Sequence, residues 1–199
     1  MRKKLMAGIS ASIILAVSGA LSPVCADNFK IDPEYTTISF RIKHIMGYQV
    51  GAFRKYDGTI KLNEKNDALE SVEANVEVAS LDTHHEKRDV DLRSEMFFDA
   101  AKYPKAQFVG RSVSSDQIKG DLTLHGVTKE VAFDYQLFGV AMDQRGRTKV
   151  FLSLNATVNR KDFGITYNTK TDDGGTLLGD DVELWIDVQG VLLTIVPLK

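Results

Sequence analysis

Apolar and polar residues alternate through most of the chain, and this period of two constrains the fold more than any other feature. Ile38, Phe40 and Ile42 share one face of the first such run, and the residues between them are polar or charged. In the next run, Ala52 and Ile60 are expected on the apolar face. The alternating runs lie at 38–44, 52–62, 72–78, 106–113, 118–124, 131–137, 150–158 and 182–188. A period of two is typical of half-buried strands, so the sequence predicts an all-β domain of about eight strands.

Each predicted strand has one apolar and one charged face, which is typical of an antiparallel sheet with one solvated side. About eight such strands have two stable arrangements, a two-sheet sandwich or a barrel closed on itself. Strand length favours the barrel, although the residues alone leave both open. A lipid-embedded barrel is excluded, because Arg41, Glu73 and Glu183 would face the hydrocarbon.

One segment follows a helical period instead. Thr83 and Glu86 have the spacing of a capping box, in which two side chains satisfy the first backbone amides of a helix. Leu92 continues the helical spacing. We therefore expect a helix from Thr83 to Arg93 and a further turn at 94–99.

The N-terminus has the organisation of a secretory signal. Basic residues open the chain, an apolar stretch runs from Leu5 to Val17, and small residues precede Ala26. The apolar stretch is too short for a membrane-spanning helix. We expect residues 1–26 to be a signal peptide and residues 27–199 to form one periplasmic domain.

Two alternatives concern the same segment. Cleavage after Ala20 would also follow small residues, and Cys25 would suit a lipoprotein, although Pro23 and Val24 are poor neighbours for lipidation. Cleavage after residue 26 removes the single cysteine, so the domain would have no disulfide and no thiol for catalysis. The net charge of −2 argues against nucleic acid as a partner. No other segment is long and apolar enough for stable membrane insertion.

Polar side chains continue the apolar strand faces at two positions. His44 follows the parity of Ile42, and Arg160 follows that of Val158. A buried charge requires a partner. Either Asp residues and backbone carbonyls satisfy these groups at a barrel rim, or the groups contact the polar head of a ligand. Arg88 belongs to the same polar layer or to an ordinary surface pair.

The sequence contains no motif that specifies a reaction. A nucleophile elbow, a dinucleotide-binding glycine pattern and a P-loop are absent from it. His84 and His85 are adjacent on the predicted helix, so their side chains diverge by about 100° and do not share a metal. His125, beside Gly126, is predicted to be a hairpin turn residue. We assign no catalytic residue, metal or cofactor.

Ten short blocks occur in a specific order and spacing across nearly all of residues 27–199. They are FKID at 29–32, FRIKH at 40–44, GAF at 51–53, DGT at 57–59, DTHHEKRD at 82–89, LRS at 92–94, FFD at 97–99, KYP at 102–104, GDLTLHGVTK at 120–129 and DFGI at 162–165. In these blocks the chain resembles the YceI-like polyisoprenoid-binding family of exported bacterial proteins.

The resemblance implies an eight-stranded antiparallel lipocalin-like barrel with a short helical segment near residues 83–99. It also implies a homodimer and a long apolar tunnel that binds an isoprenoid or another long-chain lipid. The residues that we expect to contact this ligand are Phe40, Ile42, His44, Phe53, Leu92, Phe97, Phe98, Ile118, Leu122, Phe133, Tyr135, Leu154, Ala156, Val158 and Arg160.

Three functions follow as hypotheses. The first is a periplasmic carrier or store of one isoprenoid or quinone-like lipid, without catalysis. The second is an enzyme that acts on such a lipid through His44 and a nearby carboxylate. The third is a stress-response module whose interior is fully packed.

The signal peptide gives a direct prediction. Protein isolated from the periplasm should begin at Asp27, because the export machinery removes a segment of this kind. N-terminal sequencing or intact mass spectrometry checks the cleavage site. A periplasmic protein that retains Met1 would contradict the assignment, and one that begins at Leu21 would support the alternative site.

Overall fold

The computed structural model describes residues 28–45, 47–171 and 174–193. The predicted signal peptide lies outside these residues, as do residues 194–199. The strands are β1 (Asn28–Ile31), β2 (Thr37–His44), β3 (Gly47–Phe53), β4 (Tyr56–Leu62), β5 (Leu69–Glu77), β6 (Leu81–Asp82), β7 (Lys105–Val113), β8 (Gln117–Leu124), β9 (Val127–Met142), β10 (Thr148–Asn159) and β11 (Leu178–Leu192). The α-helix is α1 (Glu86–Arg93), and 3₁₀ turns cover Val78–Ser80 and Arg160–Phe163.

The first six strand segments combine into three interrupted strands. β1 and β2 both pair with β11, in which Leu192 lies opposite Phe29 and Val182 lies opposite Ile42. β4 pairs with β1 and β3 pairs with β2, so β3 and β4 together form the second interrupted strand. β5 pairs with β4 and β6 pairs with β3, so β5 and β6 together form the third. β7 to β11 are continuous and pair in chain order.

The pairing of β1 with both β4 and β11 closes the sheet on itself. All of the pairings are antiparallel, so the chain forms an eight-stranded antiparallel barrel. This confirms the predicted fold class and resolves the choice between barrel and sandwich in favour of the barrel.

An interruption between β3 and β4 corrects one part of the predicted parity. Ala52 lies opposite Ser39 on the outer face, whereas Phe53 lies opposite the inward-facing Ile38. The Oγ of Ser80 accepts hydrogen bonds from the backbone N–H groups of Arg54 and Lys55, at 3.1 and 3.0 Å. These two residues leave the ladder, so the run 52–62 changes parity where the sequence suggested one continuous strand.

The turns follow the expected chemistry. His125 and Gly126 join β8 to β9 with φ angles of 51° and 74°. Positive φ at both central residues is what a type I′ hairpin turn requires, and glycine is the usual residue at the second position. The hairpin prediction is confirmed. Residues 143–146 form another turn, in which the N–H of Gly146 donates to the carbonyl of Asp143.

The helix begins later than its capping-box spacing predicted. His85 is the N-cap, and its Nδ1 accepts a hydrogen bond from the backbone N–H of Arg88 at 3.2 Å. Thr83 does not cap the helix, because its hydroxyl binds the buried carboxylate of Asp89. The helix therefore starts at Glu86, and the expected start at Thr83 was wrong.

Large apolar side chains fill one end of the barrel, which we call the packed end. Six residues with almost no exposure, from four of the strands, meet there: Phe29, Ile60, Leu62, Ile118, Val150 and Leu152. The opposite end, called the lid end, carries α1, the turn after it and the 3₁₀ turn Arg160–Phe163. The barrel interior therefore has two halves with different contents.

The packed end yields a stability prediction. Replacing Ile118 with Ala should lower the free energy of unfolding by about 2–5 kcal/mol, because Ile118 is fully buried and its removal leaves a cavity. Lys119→Ala, one residue along on the exposed face, is the matched control and should change it by less than about 0.5 kcal/mol. Urea unfolding checks both. Equal, small losses in the two variants would mean that this end is not tightly packed.

Candidate ligand-binding cavity

A cavity of about 570 Å³ occupies the lid end of the barrel. This volume lies within the range of about 300–1,000 Å³ that is typical of small-molecule sites. Its wall is built mainly from inward-facing residues of β2, β5, β7 and β11, and α1 with the following turn covers it. Val50, Met96 and Tyr167 line it while remaining exposed, so the cavity opens to solvent beside them.

Aromatic rings form much of the wall. The rings of Phe40 and Phe53 lie 5.7 Å apart, and Phe98 meets Phe53 edge to face at 6.1 Å. Phe97 contacts Tyr167 with a ring separation of 5.0 Å. Rings at these distances and angles attract one another. The aromatic wall therefore connects the barrel strands with the lid and with the segment that follows the 3₁₀ turn.

Phe108 and Phe133 separate the cavity from the packed end. Their rings meet edge to face, 4.8 Å apart. Both residues belong to the buried core and also line the cavity. This pair therefore forms the floor of the cavity. The cavity ends there and is not the long tunnel that the family resemblance implied.

We call α1 and the turn at 94–99 the lid. The backbone of this turn holds two aromatic residues toward the cavity. The N–H of Phe98 donates to the carbonyl of Leu92, and the N–H of Asp99 donates to the carbonyl of Ser94. The guanidinium of Arg93 donates to the carbonyl of Leu81, which ties α1 to the barrel wall. These bonds position the side chains of Leu92, Phe97 and Phe98 at the cavity.

The structure brings most of the predicted ligand-contacting residues together. The cavity is lined by Phe40, Ile42, His44, Phe53, Leu92, Phe97, Phe98, Leu122, Phe133, Val158 and Arg160. Four predicted residues lie elsewhere. Ile118 and Leu154 are buried in the core, and Ala156 packs against it. Tyr135 also packs against the core, and its hydroxyl donates to the carbonyl of Ser114 beside a surface depression.

Several lining residues were not predicted. Gln49, Val76 and Ala106 lie on inward positions of their strands. Each has the same strand parity as an apolar residue of its own strand: Gln49 follows Phe53, Val76 follows Val72 and Ala106 follows Phe108. Alternation could therefore have identified all three as inward-facing. By contrast, Ile165, Tyr167 and Leu177 come from an irregular segment, which has no periodicity to indicate its direction.

The guanidinium of Arg160 is occupied by the protein itself. Its Nη1 donates to the carbonyls of Ile165 and Tyr167 at 2.8 and 2.7 Å. Its Nε donates to the carbonyl of Gly179 at 2.9 Å, and Asp180 lies 3.3 Å from Nη2. Burial lowers the pKa of Arg160, and the carboxylate of Asp180 opposes this shift. These contacts correspond to the first interpretation of Arg160, in which carbonyls and an Asp satisfy it.

The histidines lie in three different environments. His44 lines the cavity and makes no ion pair with a described carboxylate. His84 is exposed and lies 3.9 Å from Asp82, and His85 caps α1. The Nδ1 of His125 lies 3.0 Å from the carbonyl of Phe163. Among residues 28–45, 47–171 and 174–193, no group of three His, Cys, Asp or Glu residues is arranged to hold a metal ion.

A second arginine, Arg88, lies at the cavity wall in a different setting. Its Nη1 donates to the Oε1 of Gln49 at 2.7 Å. Its Nε and Nη2 donate to the hydroxyl and carbonyl oxygens of Thr83, both at 2.8 Å. Gln49, Thr83 and Arg88 all line the cavity.

A closed antiparallel barrel with a floored, lidded apolar cavity defines the class of this protein as a small cavity-containing β-barrel. Comparison with known proteins makes the assignment specific, because the model of the YceI-like domain matches residues 29–190. The chain belongs to the YceI-like family.

Three proteins illustrate the similarity. Protein YceI of Escherichia coli O17:K52:H18 is 38% identical, over 96% of this chain and 98% of the relative. The crystal structure of Burkholderia cenocepacia BcnA matches with a TM-score of 0.67 and 20% identity, over 80% of this chain and 98% of that chain. A polyisoprenoid-binding domain from Saccharophagus degradans, implicated in plant cell wall breakdown, matches with a TM-score of 0.61 and 13% identity, over 83% of this chain and 98% of its own. At these identities, the two structures support the fold alone.

The contacts of Arg160 predict a structural role. Arg160→Met should lower the free energy of unfolding by about 3–5 kcal/mol, because three carbonyls lose their donor and Asp180 loses a buried partner. Lys161→Met removes the neighbouring exposed cation that also binds Asp180, and should cost less than about 1 kcal/mol. Urea unfolding measures both. Unchanged stability in Arg160→Met, together with weakened ligand binding, would favour the head-group interpretation instead.

Proposed function

We propose that this protein binds one long-chain lipid, isoprenoid or quinone-like, and carries or stores it in the periplasm. The observation that carries the proposal is the apolar cavity, floored by Phe108 and Phe133 and covered by the lid. Membership of the YceI-like family supports the proposal, and a domain from Saccharophagus degradans that shares the fold is described as polyisoprenoid-binding.

The cavity volume is suited to a long apolar tail. At about 30 Å³ for a water-sized group, which is close to the size of a methylene, the space holds roughly twenty such groups. Burial of each contributes about 0.8 kcal/mol, against an association cost of about 4–15 kcal/mol. A tail that fills the cavity is therefore retained without polar contacts, whereas a short acid is not. A longer polyprenyl chain would extend through the opening beside Met96.

Two rival functions receive less support. An enzyme that uses His44 as a base would need a group to orient the imidazole, and no described carboxylate pairs with it. A module with a fully packed interior would lack the cavity at the lid end. Among the described residues, no helix is long and apolar enough to cross a membrane. The periplasmic location rests on the predicted signal peptide, and dimerisation rests on the family resemblance.

The binding proposal predicts co-purification of a lipid. Protein isolated natively from the periplasm should yield a stoichiometric long-chain lipid by extraction and mass spectrometry. Ala106→Trp should reduce the yield at least tenfold, because Ala106 lines the cavity and an indole would occupy the space of the tail.

Ala132→Trp is the matched control, since Ala132 lies on the exposed face of β9. It should retain the lipid. Recovery of no lipid from the wild-type protein across several growth conditions would argue against the proposal. An undiminished yield from a folded Ala106→Trp variant would mean that the lipid lies outside the cavity.

A further inference from the structure

The cavity wall contains two arginines, and they differ in the donors that remain. A guanidinium has five N–H groups and accepts no hydrogen bond. Arg160 uses four of them on protein oxygens, three of which are backbone carbonyls. Arg88 uses three, on Gln49 and Thr83. Among the described residues, Arg88 therefore has two N–H groups without a protein acceptor.

The acceptors around Arg88 are all neutral. They are the amide oxygen of Gln49 and the hydroxyl and carbonyl oxygens of Thr83. The buried carboxylate of Asp89 reaches the arginine only through the Thr83 hydroxyl, to which its Oδ1 is bonded. Asp91 also lines the cavity, but its carboxylate forms no ion pair with Arg88. The guanidinium thus has no carboxylate in direct contact.

The bond between Arg88 and Gln49 also fixes the orientation of the amide. Because Arg88 only donates, the Oε1 of Gln49 faces it and the Nε2 group is turned away. Gln49 then presents two further N–H groups, while its Oε1 accepts from Arg88. Together the pair presents four N–H groups without a described acceptor beside the apolar cavity, two from each side chain. A head group with acceptors only, such as an ionised carboxylate or phosphate, is the chemical complement.

We propose that Arg88 and Gln49 bind the anionic head of the lipid, a carboxylate or a phosphate, while its tail occupies the cavity. This inference rests on the proposed lipid-binding function and specifies the ligand class. Thr83 and Asp89 position Arg88, because they hold its Nε and Nη2 and leave the remaining donors for the ligand.

Three test lipids with one saturated tail separate the head from the tail: palmitate, hexadecyl phosphate and hexadecanol. Their affinities are measured by displacement of a fluorescent fatty-acid analogue, below the micellar concentration and at about pH 8, where both acids are ionised. Hydrogen bonds to a charged group predict that at least one acid binds about tenfold or more tightly than the alcohol. The larger of the two preferences identifies carboxylate or phosphate as the preferred head.

Two variants test the assigned residues. Arg88→Gln should reduce the preference for the acid to less than twofold, because the charged donor for the head group is lost. Gln49→Glu keeps an acceptor for Arg88 and the size of the side chain but adds a negative charge at the head position, and it should have the same effect. Lys87→Gln removes one positive charge from an exposed position on α1 and should retain the full preference.

The outcomes separate this inference from the function on which it rests. If the wild-type protein binds none of the three lipids, the proposed function fails. If it binds all three equally, or if Gln49→Glu keeps the preference for the acid, the tail cavity stands and the head-group assignment is overturned. Hexadecanol binding by Arg88→Gln reports that this variant is folded. If the variant does not bind the alcohol, Gln49→Glu decides.

Discussion

Closure of the sheet through β1 and β11 is the interaction on which the rest of the molecule depends. Only with the pairing of Phe29 and Leu192 does the antiparallel sheet become a barrel with an inside. An eight-stranded barrel is just wide enough to be filled by side chains or to hold one small ligand. Side-chain size then decides which occurs: Phe29 and Ile60 fill the packed end, whereas Ala74 and Ala106 leave space at the lid end.

The fold and most of the cavity wall were predictable because alternation assigns each strand residue to the inside or the outside. Phe40, Leu122 and Val158 line the cavity as this parity requires. Parity does not give the height of a residue along the barrel axis. Leu154 and Ala156 face inward as predicted, yet they contact the core, because they lie nearer the packed end of β10 than Val158 does.

The features that sequence reasoning missed depend on tertiary contacts. The interruption at Arg54 and Lys55 depends on a hydroxyl that lies far along the chain, at Ser80. The start of α1 is set by competition for Thr83, because the buried Asp89 takes the hydroxyl that a capping box would use. Two interpretations of Arg160 were open from the sequence, and its tertiary contacts correspond to the first of them. Arg160 has a strand-parity signal, but it is occupied by carbonyls of an irregular segment that no periodicity describes.

The tightly packed end of the barrel also explains how the domain can contain a cavity without a disulfide bond. The single cysteine lies in the predicted signal peptide, so the remaining domain depends on its core for stability. An unfilled apolar space loses the contacts that its wall would otherwise make. The packed end offsets this loss, and the edge-to-face pair of Phe108 and Phe133 keeps the space from extending into it. A ligand that binds only the folded barrel would add stability by mass action and would make the loaded form the more stable one.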